Sequence, residues 1–133
     1  MDQGSVCIRF RHPTRALTFL SDALGLTPLR TWTVGAPRQT PVGTPLSGVY
    51  KDSFWTSSAD FEPADGFKAP LAAALERLSR RSDVVHDLLS TGGRLEVYVQ
   101  LVGWINNGDS VDTALLKTMV DLGATFEVEV FPE

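Results

Sequence analysis

Residues 94–102 read RLEVYVQLV. Leu95, Val97, Val99 and Leu101 share one parity, and Glu96, Tyr98 and Gln100 the other. Side chains alternate across a strand, so this stretch is a strand with one apolar and one polar face. The alternation recurs towards both ends of the chain. In 5–11, Val6, Ile8 and Phe10 oppose Cys7, Arg9 and Arg11; in 125–131, Phe126, Val128 and Val130 oppose Glu127 and Glu129. Strands of this kind make a sheet that carries helices on one face and leaves the other open.

The segments between them supply the helices. Before residue 94, Leu71, Ala74, Leu75 and Leu78 have helical spacing. A polar break at Ser79–Asp83 divides the stripe, which resumes at Val85, Leu88 and Leu89 and stops at Gly92-Gly93. After residue 102, Asn106-Asn107-Gly108 reads as a loop. Asp109 or Ser110 then caps a helix with Leu115, Met119 and Leu122 inward, closed by Gly123.

At the front of the chain, Pro13 interrupts the first strand. Thr14 is the expected N-cap of a helix bearing Leu17, Leu20 and Leu24, which Gly25 ends and Pro28 prevents from resuming. Residues 30–34, rich in Thr and Trp, read as a short strand, and 35–46, with two Gly and three Pro, as a loop. A longer strand is expected at 48–58, GVYKDSFWTSS. Apolar residues occupy both its parities, so either face could be the buried one. Pro63, Asp65 and Gly66 mark the next turn.

The resulting order is β-α-β-β-α-β-α-β. It predicts an α+β, ferredoxin-like sandwich in a single domain, 1–133, with a largely antiparallel sheet of four to five strands and helices on one face.

At 133 residues the chain can bury a core without staples. Its formal charge of −4 argues against general affinity for nucleic acid or an anionic membrane. Cys7 is the only cysteine, so no internal disulfide is expected, and the N-terminus lacks the pattern of a signal peptide. No apolar run approaches the roughly 20 residues of a spanning helix. A cytoplasmic location follows as the expectation.

One further window combines several turns with binding side chains: Leu24–Arg38, LGLTPLRTWTVGAPR. Gly25 to Arg38 has the form G-L-T-P-x-x-x-W-x-x-G-x-P-R. It follows an I-R-F-R strand (Ile8 to Arg11) and precedes an aromatic-Trp-x-Ser patch at Phe54, Trp55 and Ser57. The chain closes on L-G-A-x-F-x-V-x-V from Leu122. Together these resemble an uncharacterised bacterial family, domain of unknown function 4279. The resemblance implies a small α+β protein with no established activity, so it transfers no catalytic residues.

Two candidate surfaces stand out. In the first, Trp32 with Arg30, Arg38 and Trp55 forms a platform for an anionic or planar ligand; the alternative is that this segment only shapes turns and a core edge. The second is the open sheet face, where Arg9, Arg11, Glu96, Tyr98, Gln100, Glu127 and Glu129 project together. A mixed Arg/Tyr/Glu surface suits protein recognition, and its structural counterpart is a solvated face. Tyr98 alone supplies too few aromatics for single-stranded RNA.

Catalytic and metal patterns are weak. Glu127 and Glu129 lack a neighbouring histidine, His12 and His86 lack ligand-spaced partners, and residues 106–112 lack the closing Glu of a calcium loop. No phosphate loop, nucleophile elbow or zinc motif occurs. The expected function is therefore a non-enzymatic module without cofactor or metal that binds another protein, in an immunity-like or regulatory role. A small-molecule sensor or carrier near Trp32 is the alternative. An exposed edge strand would allow a homodimer.

Overall fold

The computed structural model describes residues 3–103 and 108–132. Its strands are β1 (Gln3–His12), β2 (Arg30–Trp32), β3 (Pro37–Gln39), β4 (Pro45–Val49), β5 (Ser53–Phe61), β6 (Arg94–Val102) and β7 (Thr125–Phe131). Its helices are α1 (Leu20–Leu24), α2 (Lys68–Ser79), α3 (Ser82–Ser90) and α4 (Thr113–Leu122). The expected loop at Asn106-Asn107 lies outside the described residues.

Five strands form one mixed sheet in the order β2-β5-β1-β6-β7, and β3 and β4 form a separate hairpin. The first four strands are antiparallel to their neighbours; β7 runs parallel to β6. The parallel pair is joined through α4, as a parallel connection requires a crossover. The chain is thus α+β with a mixed five-stranded sheet and four helices.

Strand parity is as the alternation predicts. Val6, Ile8, Phe10, Leu95, Val97 and Val99 point into one core with leucines of α1 and α2, Val85 and Leu88 of α3, and Met119 and Leu122 of α4. All four helices therefore cover the same face. Trp55 of β5 resolves the ambiguity in 48–58: it is fully buried among these residues, edge-on to Phe10 at 6.3 Å, and its Nε1 donates to Ser21 Oγ at 3.0 Å.

Several boundaries differ from the sequence reading. The segment after Pro13 does not start a helix at Thr14, because the amides of Thr14 and Arg15 both donate to His12 Nδ1, at 3.1 and 2.9 Å. The helix begins instead at Leu20, yet Leu17, Leu20 and Leu24 are still buried. The loop expected at 35–46 contains the β3–β4 hairpin, which the Tyr50 hydroxyl bonds at both the amide and the carbonyl of Gln39. The strand expected at 48–58 is split, with β4 ending at Val49 and β5 starting at Ser53.

At the last helix the cap is Asp112, whose carboxylate accepts from the Leu115 amide at 3.0 Å. Asp109 caps another helix: its Oδ2 accepts from the Lys68 amide at 3.0 Å, at the start of α2, which has no side-chain cap of its own. Gly25 and Gly123 close α1 and α4 with φ of 65° and 72°, the left-handed conformation expected of them. The edges of the sheet are β2 and β7. Val128 and Val130 of β7 share the parity of the core but stay exposed, since only Phe126 of that strand packs against the helices.

Candidate functional site: a groove on the helix-free sheet face

Register generates the site. Directly opposed residues share a face, so the helix-free surface can be read in rows across the sheet. One row runs Trp32, Phe54, Arg11, Arg94; the next runs Arg30, Thr56, Arg9, Glu96. A third runs Ser58, Cys7, Tyr98, Glu127, followed by Ser5, Gln100, Glu129. Small side chains at Thr56, Cys7 and Ser58 therefore lie between long ones at Arg30, Arg9 and Phe54. The result is an open groove of about 430 Å³.

The wall towards β2 is an aromatic cluster. The Trp32 ring stacks on Tyr50, with centroids 4.7 Å apart and planes at 8°, and on Phe54, at 4.4 Å and 25°. The Arg30 guanidinium lies 4.8 Å from the same ring, and that of Arg11 lies 4.6 Å from Phe54. These groups take up the indole faces, so a planar ligand has no free face of Trp32 to stack on. The indole Nε1 is buried and has no hydrogen-bond partner among the described residues.

The arginines differ in how far they are neutralised. Arg11 pairs with Asp52 at 3.3 Å. The Arg9 guanidinium lies over the Tyr98 ring, 4.0 Å from its centroid, and Arg30 donates to the Gln39 carbonyl at 2.9 Å. Among the described residues, neither Arg9 nor Arg30 has a carboxylate at ion-pair distance. Among the described residues the groove therefore carries two cations with no carboxylate at ion-pair distance, although Arg9 lies opposite Glu96 and its charge reaches Glu127.

The other half of the face, over β6 and β7, is acidic. Glu127 has its carboxyl pushed above the usual range chiefly by the charge of Glu96, then by burial and a hydrogen bond between the two carboxyls, against a lowering from Arg9. Tyr98 beneath Arg9 is 4% exposed; burial, followed by the charge of Glu129, raises its phenol. The helix-free face is thus divided into a basic groove and an acidic strip.

Of the residues singled out from the sequence, Arg9, Arg11, Arg30, Trp32 and Tyr98 come together on this face. Trp55 does not, because its parity turns it into the core, so it is corrected from the ligand platform to the packing. Arg38 points elsewhere: on the β3–β4 hairpin, it donates to the Ser47 carbonyl at 3.2 Å. His12 is 1% exposed and contacts Thr91 Oγ1 through Nε2 at 2.8 Å, while His86 Nε2 contacts the Asp121 carbonyl. Both histidines serve the fold. Among the described residues, no group of three or more His, Cys, Asp or Glu is arranged to hold a metal ion.

Thr56 and Ser58 are groove residues that sequence reasoning did not single out, and Phe54 entered it only as part of the family motif. Their signal is the parity opposite Trp55, which is readable only once that tryptophan is known to be buried. A larger depression of about 600 Å³ lies at the far end of β1, β5 and β6. Asp60 and Glu62 are its charged residues, and it lacks the convergence of cations and rings seen in the groove. No helix among the described residues is long and apolar enough to cross a membrane.

No curated protein and no solved structure matches the chain. A family profile described as Domain of unknown function (DUF4279) matches residues 8–131. The motifs at Ile8–Arg11, Gly25–Arg38 and from Leu122 fall within that span, and the chain belongs to the DUF4279 family.

Proposed function

We propose that this chain is a non-enzymatic, cytoplasmic binding module that recognises another protein through the helix-free face of its sheet, in an immunity-like or regulatory role. The observation that carries the reading is the division of that face into a basic groove at Arg9 and Arg30 and an acidic strip at Glu96, Glu127 and Glu129. Opposite patches side by side select a partner with the complementary pair and fix its orientation. The frame is read as ferredoxin-like. The order β2-β5-β1-β6 with alternating directions supports this, as it is the split β-α-β arrangement, with β7 added at one edge.

The test is capture from the lysate of the source organism. Immobilised wild-type chain is expected to retain one specific protein, which elutes at raised salt and is not retained by Arg30→Glu. Retention that is indifferent to both salt and Arg30→Glu would count against the reading.

A second reading, a sensor or carrier for a small anionic ligand, is favoured by the volume of the groove, which lies in the range of small-molecule sites. In that case the wild-type chain would co-purify with a low-mass anion rather than a protein. A homodimer through the free edge of β7 is a further proposal, and light scattering at several concentrations tests it.

A further inference from the structure

We propose that the groove between Arg9 and Arg30 is an oxyanion site, which takes a carboxylate or phosphate between the two guanidinium groups and above Thr56. The inference rests on the reading of this face as a binding surface and names the chemistry that the groove accepts.

Both arginines are paired in register with Thr56, from opposite sides of β5. Adjacent strands are about 4.8 Å apart, which puts the two Cα atoms roughly 10 Å from each other. A guanidinium on each side can then reach one anion, and the short Thr56 side chain keeps the space between them open. A larger residue there would fill it.

The present side-chain positions are compatible with such a role. Arg9 rests on the Tyr98 ring, and Arg30 rests on the Trp32 ring and donates to the Gln39 carbonyl. A shared anion over Thr56 would draw both guanidinium groups inward, and neither has a carboxylate at ion-pair distance among the described residues to give up. Arg11 is paired with Asp52, whereas Arg9 and Arg30 line the same groove without such a pair among the described residues. Guanidinium forks suit planar carboxylates and phosphates. The groove, at about 430 Å³, exceeds the anion itself, and the remaining space over Cys7 and Ser58 accommodates a small uncharged body.

The test is an NMR titration of the labelled chain at low ionic strength with inorganic phosphate, glutarate and the capped tripeptide acetyl-Ala-Glu-Ala-amide, following the Arg Nε–H signals. The expected result is saturable shifts of the Arg9 and Arg30 signals with at least one probe. Affinity should fall roughly tenfold or more in Arg9→Gln and in Arg30→Gln, stay unchanged in Arg38→Gln, and be partly kept in Arg9→Lys. Backbone spectra of each variant report whether it is folded. Tighter binding of the tripeptide than of glutarate assigns the anion to a protein side chain; the reverse assigns it to a free small molecule. Shifts that remain linear to about 50 mM for all three probes, or an equal loss in Arg38→Gln, overturn the site. Lysate capture uses a whole partner, so it can succeed while this titration fails, and the two proposals fall separately.

Discussion

Arg9 and Arg30 flank a single residue, Thr56, from the two sides of β5. Together with the aromatic cluster at Trp32, this relationship makes the helix-free face of the sheet a shaped surface. Small side chains at Thr56, Cys7 and Ser58 with long ones around them produce the groove.

Trp32 separates stacking from hydrogen bonding. Its ring packs on Tyr50 and Phe54, while its Nε1 is buried without a partner among the described residues. An unsatisfied buried donor costs about 1–3 kcal/mol. Trp32→Phe keeps a ring and removes that donor, so it should change stability by less than about 1 kcal/mol. Trp32→Ala, which removes the stack, should cost about 2 kcal/mol or more. Urea unfolding of both variants checks the contrast; a loss above about 1 kcal/mol in Trp32→Phe would show that the donor is satisfied.

His12 predicts an acid limb. Nδ1 accepts two backbone amides, so the ring proton sits on Nε2 and the imidazole is neutral. Burial, then the charge of Arg15, holds its pKa below the ordinary 6.5. The unfolded chain therefore binds a proton that the folded chain refuses. The stability due to His12 is full above pH 6.5 and is lost as pH falls towards the lowered folded value. His12→Gln should lower Tm at neutral pH and flatten that limb. Thermal melts from pH 7.5 to about 5 measure both.

Fold and site were legible to different depths. At 94–102 the alternation alone identifies the face that packs on helices, because one strand faces two environments. At 48–58, aromatic residues on both parities hide which face is inward, and the hydrogen-bonded hub at His12 that delays α1 has no local sequence signal. The groove needs the register of three strands that are distant in sequence, so Thr56 stays silent while Trp55 looks like a binding residue. Arg9, Arg11, Arg30, Trp32 and Tyr98 were readable because each is large and lies on or beside a clear strand.

Asp109 caps α2 from 41 residues away in sequence. Amide bonds from Ser110 and then Lys68 hold its carboxyl below the usual range. Its contribution is present above the unfolded carboxylate pKa and disappears as pH falls through the lowered folded value. Asp109→Ala should cost about 1 kcal/mol or less, since the site is exposed. Gly66→Ala should cost more, as Gly66 has φ of 72° and a Cβ there would overlap the Asp109 carboxylate. Chemical denaturation ranks the two.

The acidic strip gives a prediction of opposite sign. With its pKa raised by Glu96, Glu127 is repelled in its charged form, so the folded state gains from it below the ordinary 4.5 and loses that gain as pH rises through the raised value. Glu127→Gln should therefore stabilise the chain at pH 7, by about a few tenths of a kcal/mol, and the advantage should vanish near pH 4. Paired melts at the two pH values decide it.

Recognition through the helix-free face is tested most directly by a photocrosslinking scan. A benzophenone amino acid is placed in turn at Ser58 and Gln100, on that face, and at Val120 and Lys117, on the helical side, and each protein is irradiated in source lysate. The account predicts one covalent partner, captured from Ser58 and Gln100 and lost at raised salt, with none from the helical positions. Capture of the same partner from Val120 or Lys117, with none from Ser58 or Gln100, would contradict it.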